Sequence, residues 1–218
     1  MFNFLTLDTT DIVVSTSVIA IALAFTVAFA IGSKKAKFST KKLSVIALSI
    51  ALTTTLSFFK FSLPFGGSIT LFSLVPVILV SYYYGIYYGL FTGLITGLLQ
   101  FITSPWILTP LTFILDYVLA FSAIGVASAF KKVCKSGTVS LSLGAISFYL
   151  VRYVMHILSG IIYFEAGYVT EGFPATSAFI YSLAYNGAFI IPDMIITLAF
   201  LIPFSTKSVF KNNLLLSE

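Results

Sequence analysis

Residues 152–186 read RYVMHILSGIIYFEAGYVTEGFPATSAFIYSLAYN, and this stretch decides what kind of fold the chain adopts. An apolar run carrying Arg152 and His156 ends near Glu165 in a segment containing Gly167, Glu171, Gly172 and Pro174; a second apolar run starts at Ser177 and reaches Asn186. Two apolar runs on either side of a polar, Gly- and Pro-containing break read as membrane helices joined outside the bilayer. A charged side chain at a bilayer centre costs about 2.5 kcal/mol or more. Arg152, His156 and Asn186 are therefore marked as functional candidates by their depth alone.

The rest of the chain agrees with that reading. Of 218 residues, 59% are apolar and 9% charged, with a mean hydropathy of +1.07, whereas a soluble domain is about 25% charged. This is the composition of a polytopic, all-α integral membrane protein. The net charge of +5 does not imply nucleic acid, because the basic residues sit in short gaps between apolar runs, where they act as topology signals. The single cysteine, Cys134, excludes an intrachain disulfide, and no Cys/His cluster suggests a metal or other cofactor.

The first apolar run, residues 12–31, follows Asp8 and Asp11 and precedes Lys34, Lys35, Lys37, Lys41 and Lys42. A secretory signal has its basic residues before the apolar core, so this run reads as an uncleaved anchor with its amino terminus outside. Six further runs cover residues 43–59, 69–83, 84–103, 107–130, 138–164 and 177–204. Seven spans place ten of the eleven lysines inside, with Lys60 the exception, and put the carboxyl terminus in the cytoplasm. The chain thus divides into an extra amino-terminal helix with a basic linker (1–42), a membrane domain (43–204) and a tail (205–218). Gly85, Gly89, Gly93 and Gly97 recur every four residues, a spacing that lets a neighbouring backbone approach.

Helical rise sorts the buried polar residues into two layers. Asp116, His156 and Asn186 each lie about nine residues, or about 13 Å, from the outer end of their spans. Arg152 lies one turn deeper than His156, and Asp193 seven residues deeper than Asn186, each on the same face as the residue above it. Arg152 and Asp193 at matched depth most simply neutralise each other. A carboxylate, an imidazole and a carboxamide in the upper layer suit a small polar ligand entering from outside; a network of helix-to-helix hydrogen bonds is the plainer alternative.

Four segments carry a family resemblance: LPFGGS at 63–68, ILDYVLAF at 114–121, RYVMHILSGIIYF at 152–164 and YSLAYNG at 181–187. In order and spacing they resemble the thiamine-specific substrate-binding (S) subunit of energy-coupling factor transporters, over residues 43 to 204. The resemblance implies a six-helix vitamin-capture bundle, here with one extra amino-terminal helix, that performs no hydrolysis itself. It implies a thiamine pocket lined by Asp116, Tyr117, His156, Phe164, Tyr181 and Asn186. Some members of the family have tryptophan where this chain has Phe164. The implied partners are a transmembrane coupling subunit and two ATPase subunits in the plasma membrane, with the Ala47/Ala51 stripe docking on the coupling subunit.

Thiamine chemistry suits these residue types on separate grounds. Its thiazolium is a permanent cation that a carboxylate and aromatic faces attract, and its aminopyrimidine matches carboxylate, phenol and carboxamide groups. Residues 61–68 and 165–174, rich in Gly and Pro, read as lids. The absence of GxGD, HExxH and GxSxG motifs argues against an enzyme, and the absence of a Walker A sequence assigns any ATP hydrolysis to partners. A capture subunit for another vitamin or a thiamine precursor, and a stand-alone carrier, remain the competing readings.

Overall fold

The computed structural model describes residues 37–206 except Gly172, Pro174 and Ala175, together with the single positions Thr16, Ala20 and Val27. Apart from those three positions, the expected amino-terminal span 12–31 lies outside the described residues, as does the tail beyond residue 206. The described chain forms six helices and one small hairpin. These are α1 (Thr40–Ser57), β1 (Lys60–Ser62), β2 (Ser68–Thr70), α2 (Val75–Tyr84), α3 (Ile86–Thr103), α4 (Pro110–Ser128), α5 (Gly137–Glu165) and α6 (Ala178–Thr206).

Helices α3 to α6 are each long and apolar enough to cross a membrane. Helix α2 has only 10 residues, or about 15 Å, half of a hydrocarbon core of about 30 Å. The run 69–83, expected as a full span, instead begins in β2. That strand pairs antiparallel with β1, Lys60 opposite Thr70, Phe61 opposite Ile69 and Ser62 opposite Ser68. The ladder satisfies backbone groups that a lone extended segment would leave open. Pro76 then sits in the first turn of α2, where its missing N–H costs nothing.

The glycine stripe does what its spacing predicts, with one exception. A side chain on Gly89 would press on Gly125, one on Gly93 on the Phe121 carbonyl, and one on Gly97 on the Tyr117 carbonyl, so α3 and α4 pack backbone to backbone. Gly85 does not belong to this seam. It has φ 101° with open space around it, and it forms the turn between α2 and α3. Helices α5 and α6 also pack along one another. Below the polar layers the core closes on Phe148, Tyr149, Leu141 and Ile78, all essentially inaccessible.

Candidate functional site

Helix α4 begins at Thr109, whose side chain accepts from the Thr112 amide while the Thr112 hydroxyl caps back, a reciprocal capping box. One turn later the helix widens into a π-helical stretch, Ile114–Leu119, containing Asp116 and Tyr117. Such widened turns often occur at functional sites. Both residues line one cavity of about 770 Å³. The Tyr117 hydroxyl is committed to the adjoining loop, accepting from the Trp106 amide at 2.9 Å and donating to the Ser104 carbonyl at 2.8 Å. It presents its ring, packed against Phe101 and Phe113, as wall.

Helix α5 brings Arg152, His156, Ser159 and Tyr163 to the cavity, a spacing of three to four residues that keeps them on one face. His156 Nδ1 lies 2.8 Å from Asp116 Oδ1, and the Ser159 hydroxyl donates to Asp116 Oδ2 at 2.6 Å. The expected pair of candidates is therefore a direct contact, and Ser159, which the sequence reading passed over, completes it. Ser159 lies three residues after His156, so helical phase was the signal that pointed to it.

Helix α6 contributes Tyr181, Tyr185, Asn186, Phe189 and Asp193. The Asn186 amide nitrogen donates to the His156 carbonyl at 3.0 Å and to the Ser182 carbonyl at 2.9 Å, tying α6 to α5. A ligand meeting this side chain therefore meets an acceptor, Oδ1. Tyr181 and Tyr185 stack at 5.7 Å and 18°, and the Tyr181 hydroxyl accepts from the Thr170 amide at 3.1 Å.

Five of the six predicted pocket residues line this cavity, and Phe164 does not. It packs behind Tyr181 with ring centroids 5.4 Å apart. Seven helical residues return to nearly the same face, whereas eight overshoot it by about 80°. Tyr163, seven residues after His156, is accordingly the α5 aromatic on the wall, stacked on Trp106 at 6.4 Å. In the lower layer, Arg152 Nη1 lies 3.7 Å from Asp193 Oδ2, and the guanidinium sits 4.9 Å over the Phe121 ring. This is the pairing expected from matched depth, and it forms part of the same cavity.

Both predicted lids meet the cavity mouth. Gly66 and Gly67, with φ 98° and 71°, bring the hairpin turn against Tyr185 and Phe189, where any side chain would collide. The Thr170 hydroxyl donates to the Phe65 carbonyl at 3.3 Å, and Phe65 meets Phe173 edge to face at 5.3 Å, so the two loops touch. With Arg152 and Asp193 cancelling, Asp116 supplies the negative charge inside a wall of mixed polar and aromatic side chains, and Lys60 stands at the rim, 3.4 Å from Ser104 Oγ. That arrangement suits an organic cation with a flat, hydrogen-bonding ring. No cluster of His, Cys, Asp and Glu suited to a metal occurs among the described residues.

On the opposite side of α1, Ala47 and Ala51 are exposed with Leu48 and Leu52, while Ile46, Ile50 and Thr53 face the core.

Comparison with known proteins adds independent findings. The family described as thiamine transporter protein matches residues 43–212. The thiamine transporter ThiT of Bacillus subtilis (strain 168) is 31% identical over 165 residues, covering 71% of this chain and 83% of that protein. A solved structure of ThiT from Listeria monocytogenes superposes with a TM-score of 0.66 at 25% identity, over 77% of this chain and 94% of the other. A solved S component of a bacterial ECF transporter gives 0.54 at 25% identity, over 80% and 97%.

Proposed function

The chain belongs to the thiamine transporter protein family, and from that premise we propose that it is the high-affinity thiamine-capture subunit of an ATP-driven ECF-type importer. It is a multi-pass membrane transport protein and not an enzyme. The observation that carries the reading is the Asp116 carboxylate, held by His156 and Ser159 in a cavity walled by Trp106, Tyr163, Tyr181 and Tyr185. In this reading the thiazolium lies near Asp116 against the aromatic faces. Asn186 and the remaining polar groups meet the aminopyrimidine, Tyr117 adds its ring to the wall while its hydroxyl clamps the 104–106 loop, and Phe164 acts indirectly by backing Tyr181.

Mass spectrometry of whatever co-purifies with the protein tests this directly. Thiamine is the expected mass; riboflavin, a thiamine precursor or another vitamin in its place would replace the substrate assignment.

The finer topology belongs to the same proposal. The amino terminus lies outside the plasma membrane and the carboxyl terminus in the cytoplasm, with residues 1–42 adding a helix and 205–218 a tail to the bundle 43–204. The exposed Ala47/Ala51 face docks on a transmembrane coupling subunit that two ATPase subunits drive. Small residues allow close helix contact that large ones prevent. Replacing both alanines by leucine is expected to abolish thiamine uptake by cells while the purified variant binds thiamine as wild type does. Uptake at the wild-type rate would remove α1 as the docking face.

A further inference from the structure

Tyr185, Phe189 and Asp193 follow one another at four-residue intervals on α6, so they form a stripe along the helix, and the hairpin lies on it. Its turn rests on the two aromatic rings through Gly66 and Gly67. Its base ends at Asp193, whose Oδ1 accepts from the Thr70 amide at 3.1 Å and the Thr70 hydroxyl at 2.7 Å. The same carboxylate receives the Tyr149 hydroxyl at 3.0 Å and faces Arg152 at 3.7 Å. It is 5% exposed.

These contacts differ in kind along the hairpin. The aromatic contacts at the turn have no fixed direction, and the side ties are exposed and long: Lys60 to Ser104 at 3.4 Å, Thr170 to Phe65 at 3.3 Å. The bond at the base is short, charge-assisted and shielded from water, which makes it the strong one. Thr70 pairs across the ladder with Lys60, so fixing Thr70 fixes both strands. Arg152 cancels the charge of the anchor, which leaves Asp116 as the anion that a cationic ligand meets.

We propose that Asp193 is a positioning residue for ligand retention: it pins the base of the hairpin to α6, setting its register over the cavity, so that the hairpin opens at its turn and closes again about a fixed base. This rests on the reading that the cavity holds thiamine, and it assigns Asp193 and Thr70, both on the cavity wall, to the anchoring of the lid.

Thr70→Val tests it without stranding Arg152. Valine keeps the shape and the strand preference and removes the hydroxyl, with its donation to Asp193 and its 2.6 Å contact with the Ser73 hydroxyl. Trp106, the single tryptophan and a cavity residue, gives a stopped-flow fluorescence signal for thiamine, and hydrogen–deuterium exchange of the ligand-free protein reports the hairpin itself. The variant is expected to release thiamine about tenfold faster with an unchanged association rate, the size of a lost hydrogen bond to a charged group. Exchange at residues 60–70 rises while α5 and α6 exchange as in wild type, and Thr70→Ser restores both readouts. Wild-type hairpin exchange in Thr70→Val, wild-type release, or a serine variant that rescues neither would each overturn the proposal. Should the wild type itself bind no thiamine, the functional reading fails, and the exchange comparison still decides whether Asp193 anchors the hairpin.

Discussion

Asp116→Asn is expected to weaken thiamine binding about tenfold to a hundredfold while the bundle stays folded. The substitution keeps the side chain's size and one carbonyl acceptor for Ser159 or His156, which lie 2.6 Å and 2.8 Å from the carboxylate. What it deletes is the negative charge. A hydrogen bond assisted by charge contributes about 1.5–3 kcal/mol, which sets the size of the loss. Folding tolerates the change because a neutral amide is cheaper to bury than a carboxylate. A thiamine analogue with an uncharged ring in place of the thiazolium loses far less on the same substitution. Titration calorimetry with both ligands on both proteins makes the comparison. Equal weakening of the two, or no weakening of either, would show that Asp116 does not recognise the cation.

The second large effect falls on stability and is unequal between two partners. Breaking a buried ion pair typically costs about 3–5 kcal/mol, because one charge is left uncompensated. Asp193 without Arg152 still has the Thr70 amide and hydroxyl and the Tyr149 hydroxyl. Arg152 without Asp193 keeps the face of Phe121, and its Nε has no hydrogen-bond partner. Asp193→Ala is therefore expected to carry the full cost, Arg152→Ala a smaller one, and the double variant less than Asp193→Ala alone. Thermal unfolding in detergent reads the order. Single variants as stable as wild type would take the pair out of the fold's energetics and make it part of the ligand site.

How far the sequence reached is best seen residue by residue. The apolar runs gave four helices directly, because membrane helices satisfy their own backbone and advertise themselves by composition. Depth arithmetic paired Arg152 with Asp193 because rise per residue is constant within a helix. In the sequence the β1–β2 hairpin shows only as a Gly-rich segment, since three-residue strands leave too short a pattern to register, and Thr70 meets its partner, Asp193, 123 residues away. The run 69–83 is apolar nearly throughout, which hides the strand at its start. Phe164 came from a family pattern, and helical phase alone would have chosen Tyr163. The widened turn that brings Asp116 and Tyr117 to the wall together has no signature in composition or periodicity.

That turn also changes what kind of mutation α4 tolerates. A π-helical stretch such as Ile114–Leu119 amounts to one residue more than a regular helix needs over the same length, so it takes up that residue without turning one end of α4 relative to the other. The outer end is fixed by the Thr109 capping box and the inner end by the glycine seam against α3. Deleting a single residue between 114 and 119 would let the helix become regular with both ends still in place, and the widened turn would be lost. Phe121 and Gly125 would keep their places against Gly93 and Gly89, and the change would fall on how Asp116 and Tyr117 meet the cavity. The extra residue therefore serves the site and not the seam: its loss leaves the packing of α3 on α4 and moves the carboxylate that meets His156 and Ser159.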